Sequence, residues 1–174
     1  VLSGRKLGGP HSTGALVVRK GIVLEPILHG GGQQGGVRAG TLDTVGILEM
    51  TLASRIACAR QGEEFGRLQT LGRLMRRTLQ HWDGPDVTIL SPDSASPYIL
   101  SIAIPGYEGA VVMRLLAERG IIVGTGSACS AESAKPSRVL TAMGIAPLLA
   151  RSALRISMGW KTTRDDIESF LAVL

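Results

Sequence analysis

Apolar residues settle into helical spacing between Ile47 and Leu79. Ile47, Leu48, Met50, Leu52, Ile56 and Ala57, then Phe65, Leu68, Leu71, Leu74, Met75 and Leu79, recur with a period of about 3.6 residues. The pattern predicts one long helix, or two in tandem with a break near Gln61-Gly62. Thr41 or Asp43 caps its start, and Gly84-Pro85 ends it. Ahead of it, Gly14–Arg19 reads as a strand, Lys20-Gly21 as a turn, and Val23–Leu28 as a second apolar run. Behind it, Val87–Leu90, Ile99–Ile104, Ile121–Val123 and Leu154–Met158 read as strands. Tyr107–Arg119 and Ser137–Met143 read as helices. A last helix starts near Thr162 or Thr163, with Asp165 and Asp166 favouring its N-terminus. The order predicts an α/β chain in two parts. Residues 1–85 carry a portion of a larger α/β domain with the long helix, and residues 86–174 form a small α+β domain.

Composition narrows the classes. The 174 residues are 44% hydrophobic and 19% charged, enough to bury a core and unlike a disordered chain. Only 3% are aromatic, so that core is built from Leu, Ile, Val, Ala and Met. The net charge of +5 comes from scattered arginines, with no basic run and few aromatics to stack bases. Nucleic-acid binding is therefore not expected. The two cysteines, Cys58 and Cys129, are far apart and form no CxxC pair, which argues against zinc and a disulfide framework. A reducing, cytoplasmic setting fits. No apolar run is long enough for a membrane span, and no signal-peptide pattern opens the chain. Cys58, within the long helix, reads as a packed small residue.

Three segments carry candidate chemistry. Val1-Leu-Ser-Gly-Arg-Lys-Leu-Gly-Gly-Pro-His-Ser-Thr-Gly14 places Lys6 in a turn rich in Gly and Pro. It is either a solvated surface lysine or an amine held to condense with an aldehyde. Ser3, Arg5, Ser12 and Thr13 lie close by in sequence and can hold a phosphate. Gly124-Thr-Gly-Ser-Ala-Cys-Ser-Ala-Glu-Ser-Ala-Lys-Pro136 surrounds Cys129 with small residues, so its thiolate is either reactive or incidental, with Lys135 the nearest cation in sequence. Arg155 sits in the apolar strand Ala153-Leu-Arg-Ile-Ser157. A guanidinium there needs an anion, an internal carboxylate or a substrate's. Gly30–Gly36 is too glycine-rich for helix or strand and reads as a loop approached closely by a ligand or another subunit.

Ser3-Gly-Arg-Lys-Leu-Gly-Gly-Pro10 followed by Gly14-Ala-Leu-Val-Val18 resembles the Schiff-base lysine segment of the cysteine desulfurases. These enzymes belong to the class V aminotransferase group and use pyridoxal phosphate (PLP). Leu28-His-Gly-Gly-Gly-Gln-Gln34 with Arg38-Ala-Gly-Thr41, then Gly126-Ser-Ala-Cys-Ser130, then Leu154-Arg-Ile-Ser-Met-Gly159, match the same family in the same order. The resemblance implies a fold of type I, aspartate aminotransferase-like. It implies a remnant of the large PLP domain, a long linking helix and a small C-terminal α+β domain. Roughly the first half of the family's chain lies upstream of the lysine, so this chain is expected to be a C-terminal portion, stopping in mid-helix.

What the resemblance implies for the residues is specific. Lys6 holds PLP as a Schiff base, and Ser3 and Arg5 lie at its phosphate. Thr41 reaches the PLP phosphate of the partner subunit in a homodimer with shared active sites, and Arg38 belongs to the same motif. Arg155 binds the carboxylate of L-cysteine. Cys129 attacks the substrate sulfur and carries it as a persulfide, releasing L-alanine. An iron–sulfur scaffold or a tRNA-thiolation protein then accepts the sulfur. Two residues depart from the pattern. Arg5 stands where the family usually has His, and Ala39 where it usually has Ser. A guanidinium is itself a good phosphate ligand. His11 and His29 are assigned no catalytic role. Two rival readings are a related class V lyase or aminotransferase, which would not need Cys129, and a non-catalytic dimerisation or sulfur-docking module.

Overall fold

The computed structural model describes residues 1–126 and 137–174. The chain gathers into two compact units, Val1–Gly62 and Glu63–Leu174.

The first unit opens on a small hairpin. Strand β1 (Leu2–Ser3) pairs antiparallel with β2 (Gly14–Ala15), Leu2 opposite Ala15 and Ser3 opposite Gly14. Between them Gly4–Leu7 makes one 3-10 turn, ended by Gly8 at φ 81°. The Gly4 N–H donates to the Thr13 carbonyl at 2.8 Å, and the Gly9 N–H to the Gly4 carbonyl at 2.9 Å. Gly4 is buried, and a Cβ there would lie 2.7 Å from the Pro10 carbonyl oxygen and 2.8 Å from that of Thr13. Only glycine lets the two arms of the loop close this tightly. The strand expected over Gly14–Arg19 is only Gly14–Ala15, because β1 offers just two residues to pair with. Val23–Leu28 forms no strand, and Val17, Val23 and Ile27 are among the most exposed apolar side chains described. Gln33–Gly36 is a second 3-10 turn, with Gln34 and Gly35 at positive φ.

Helix α1 (Thr44–Gln80) then runs without interruption through Gln61-Gly62. Asp43 caps it, its Oδ1 accepting from the Gly46 N–H at 3.0 Å. That satisfies one of the donors a helix start leaves free. The helix ends at Gln80, before Gly84-Pro85. Cys58 is exposed on it rather than packed, because the apolar positions around it leave its side to solvent.

The second unit is built on a three-stranded antiparallel sheet, β3 (Thr88–Ile89), β4 (Ile99–Ala103) and β5 (Ala153–Ser157), in that spatial order. Leu100 faces Ile156 and Ile102 faces Leu154 across the central ladder. Alternation along each strand sends these four to one face, where they meet Leu68, Leu71, Met75 and Leu79 of α1. Helix α2 (Gly109–Glu118) adds Leu116, and α5 (Arg164–Val173) adds Ile167, Phe170 and Leu171. Ile102 and Leu154 have no exposed surface, and each such side chain stabilises by about 1.5–3 kcal/mol. On the opposite face Ala103 and Ala153 pack with Leu90, Leu140 and Ala150. The last two come from the short helices α3 (Arg138–Ala142) and α4 (Pro147–Arg151). Ile121–Val123 is not a strand. Among the described residues of this stretch Gly124 alone reaches the sheet, as a single bridge to Arg155.

Helix α5 begins with a reciprocal cap. The Thr163 hydroxyl accepts from the Asp166 N–H at 3.2 Å, and Asp166 Oδ2 accepts from the Thr163 N–H at 2.8 Å. No described helix is long and apolar enough to cross a membrane.

Candidate active site

Ser3, Arg5 and Lys6 share the tip of the first hairpin, Ser3 at the end of β1 and the other two in the 3-10 turn. All three are exposed. The backbone bonds of Gly4 and Gly9 close the turn on both sides, so Lys6 is carried on a defined loop rather than a loose one.

Beside the same hairpin lies a cavity of about 860 Å3, within the usual range of small-molecule sites. Its polar lining comes from Ser12, Thr13, Arg38 and Thr41, with Asp43 at the start of α1. Thr41 is therefore brought together with Ser12, Thr13 and Arg38, whereas Ser3, Arg5 and Lys6 are not among the residues lining this cavity. The Thr13 hydroxyl is buried and has no hydrogen-bond partner among the described residues. It lies against Gly46, where any side chain would strike it. Arg38 Nη1 donates to the Ala39 carbonyl. An orphan hydroxyl, a guanidinium and two further hydroxyls form a donor set that suits an anion such as a phosphate. Among the described residues no group of His, Cys, Asp and Glu is arranged to hold a metal ion.

Arg155 belongs to the second unit, in the middle of β5. Ser101 of β4 faces it on one side and Gly124 on the other. Gly124 exchanges both backbone bonds with it, Arg155 N–H to the Gly124 carbonyl at 2.6 Å and Gly124 N–H to the Arg155 carbonyl at 3.0 Å. In such a pair the two side chains stand on the same face of the sheet. The guanidinium passes over Gly124, and Nη1 donates to the Gly126 carbonyl at 2.8 Å. Arg155 is half-buried, and no described carboxylate ion-pairs with it. Of the two anions the sequence left open, an internal partner is thus not found among the described residues.

Cys129 and Lys135 lie outside the described residues. His11 and His29 are exposed. Sequence reasoning missed the use of Gly124 and Gly126 by the arginine. The available signal was Gly124 directly after the strand-like run Ile121–Val123, since a glycine there marks the close approach of another group.

Residues 1–170 match the Aminotransferase class-V family model. The chain belongs to that family, whose members work with PLP. It is 38% identical over 178 residues to an IscS-like cysteine desulfurase of Mycobacterium tuberculosis, covering 99% of this chain and 44% of the relative. To the cysteine desulfurase IscS of Clostridium botulinum, strain Kyoto, it is 37% identical, again over 99% of this chain and 44% of the relative. Among solved structures, a NifS-like protein superposes with a TM-score of 0.84 at 31% identity, covering 98% of this chain and 43% of that one. A NifS-like protein from Rickettsia africae gives 0.75 at 29% identity, covering 87% and 39%. The fold is thus that of a part of a NifS-like, fold type I enzyme. The chain spans less than half the length of the curated relatives it matches.

Proposed function

We propose that this chain serves a PLP-dependent cysteine desulfurase, which converts L-cysteine to L-alanine and keeps the sulfur as a cysteine persulfide. The observation that carries the reading is Arg155, half-buried, set on the sheet without a carboxylate partner among the described residues, in a chain of this family.

The residues present fit the cofactor. Lys6 offers its amine from a closed turn that also carries Arg5, with Ser3 just before it. The separate lining of Ser12, Thr13, Arg38 and Thr41 supplies donors suited to the phosphate of a partner subunit's cofactor. When bound, PLP supplies an electron sink at the substrate's Cα. Lys6 Nζ holds the cofactor covalently at rest and later moves the Cα proton. Ser3 and Arg5 anchor the phosphate from the lysine turn, and Thr41 does so for the partner subunit of a homodimer. Arg155 orients L-cysteine by its carboxylate through two parallel N–H donors. Cys129, as thiolate, attacks the substrate sulfur. The new S–S bond forms as the substrate's Cβ–S bond breaks, its electron pair remaining on the carbon fragment, which takes up a proton and leaves as alanine. The persulfide sulfur passes to an acceptor protein of iron–sulfur cluster or thiocofactor assembly, in the cytoplasm.

The test is the visible spectrum of the purified protein. A yellow cofactor band, absent in Lys6→Ala, is expected. A band that survives Lys6→Ala, or none in the parent protein, sinks the lysine assignment. L-alanine release without protein-bound persulfide would instead identify a related lyase or aminotransferase.

A further inference from the structure

Gly124 is not in the left-handed region, so its backbone accepts any residue. What a side chain would crowd, and push aside, is the Arg155 guanidinium. A Cβ at position 124 would lie 3.1 Å from Nη2 and 3.6 Å from Cζ. The cause is the ladder itself. Gly124 and Arg155 are a hydrogen-bonded cross-strand pair, so a side chain at 124 stands beside that of 155 on the same face. The arginine uses the bare strip to lie across the neighbouring segment and reach the Gly126 carbonyl at 2.8 Å. From there Nη1 is pinned, and the fork's remaining donors keep one heading.

Building on the assignment of Arg155 to the substrate carboxylate, we infer that Gly124 is a positioning residue for substrate selection. Its missing side chain and the Gly126 carbonyl together aim the guanidinium, so that amino acids bind by their carboxylate while amines lacking one gain nothing. The residue acts through Arg155 and touches no substrate itself.

The experiment compares the PLP-loaded protein with Gly124→Ala, Arg155→Ala and the double variant. Three quantities are read: KM for L-cysteine, the dissociation constant of L-alanine by calorimetry, and the inhibition constant of 2-aminoethanethiol, which has no carboxylate. Gly124→Ala is expected to weaken L-cysteine and L-alanine about tenfold, the scale of one lost charge-assisted hydrogen bond, with kcat changed far less. Inhibition by 2-aminoethanethiol stays within about twofold, and the double variant is no worse than Arg155→Ala, as expected for two residues acting through one contact. Thermal melting of Gly124→Ala stays within about 2–4 °C of the parent, because its backbone is compatible with alanine and only one side-chain hydrogen bond is at stake.

If Arg155→Ala weakens L-cysteine while Gly124→Ala does not, the inference falls and the carboxylate assignment stands. Equal weakening of 2-aminoethanethiol by Gly124→Ala, or additive losses in the double variant, also overturns it. Unchanged L-cysteine binding in Arg155→Ala overturns the assignment of that arginine and this inference with it.

Discussion

Arg67 of α1 donates through Nη2 to the Gly159 carbonyl at 2.9 Å, tying the turn that follows β5 to the long helix. Its Nη1 reaches the Thr162 carbonyl, and Glu64, one helical turn earlier, accepts from Nη2 at 2.7 Å. A guanidinium thus bridges the exit of the arginine strand and the entry to α5. Arg67→Ala leaves two backbone carbonyls without that donor. The expected cost is about 2 kcal/mol, a Tm lower by roughly 4–8 °C for a chain of this size. Calorimetric melting of Arg67→Ala against Arg67→Lys checks it, with the lysine variant falling between.

The cap of α5 makes the second prediction. Hydrogen bonds from the Thr163 backbone and side chain hold the Asp166 carboxyl below its ordinary value of 3.8. The folded pKa is therefore depressed, so the contribution is complete above about pH 4 and fades as pH falls through the folded value. Asp166→Asn should melt lower than the parent at pH 7, with the gap closing below about pH 3.8. A gap that persists unchanged into strong acid rules out the carboxylate as its source.

The core gives the third. Leu154 and Ile102 face each other across the ladder with no exposed surface. Leu154→Ala should cost about 2–5 kcal/mol, since the sheet and two helices cannot collapse onto the space. Denaturant unfolding should show a lower midpoint with an unchanged slope. Val139→Ala, at an exposed position of α3, should stay within about 0.5 kcal/mol.

At the lysine turn, Gly4→Ala drives a methyl group into the carbonyls of Pro10 and Thr13. Overpacking of this kind costs about 1–3 kcal/mol, felt where Lys6 is presented. Hydrogen exchange at the Gly4 and Gly9 amides should quicken, and cofactor loading should fall, while exchange in β4 and β5 is unaltered.

Much of this was written in the sequence, and the losses have physical causes. The 3.6-residue period carried α1, and the Thr163-Arg-Asp-Asp pattern carried the cap of α5. Ile99–Ile104 and Leu154–Met158 read as strands and match β4 and β5 to within a residue at each end, while their buried face, Leu100, Ile102, Leu154 and Ile156, is seen only in the ladder. Leu16–Val18 and Val23–Leu28 have the same apolar texture but no ladder among the described residues, and texture alone cannot supply a partner strand. The same holds for Ile121–Val123. Helix α4 was passed over although Pro147 stands at its first turn, a position that favours proline. Cys58 was misplaced because helical spacing does not say how wide the buried stripe is. In the site, residue type and setting single out Lys6 and Arg155 as candidates and the family resemblance adds Thr41, but the use of Gly124 and Gly126 depends on strand register. That became visible only with the bridge between Gly124 and Arg155.

The measurement that bears most directly on the proposed activity is a single turnover with L-cysteine, followed by peptide mapping of trapped sulfur. The expected result is L-alanine released in step with a persulfide on Cys129, and none on the exposed Cys58. Cys129→Ser should keep the cofactor band and lose the persulfide. Persulfide formed in Cys129→Ser, or sulfur trapped on Cys58 in the parent protein, contradicts the account.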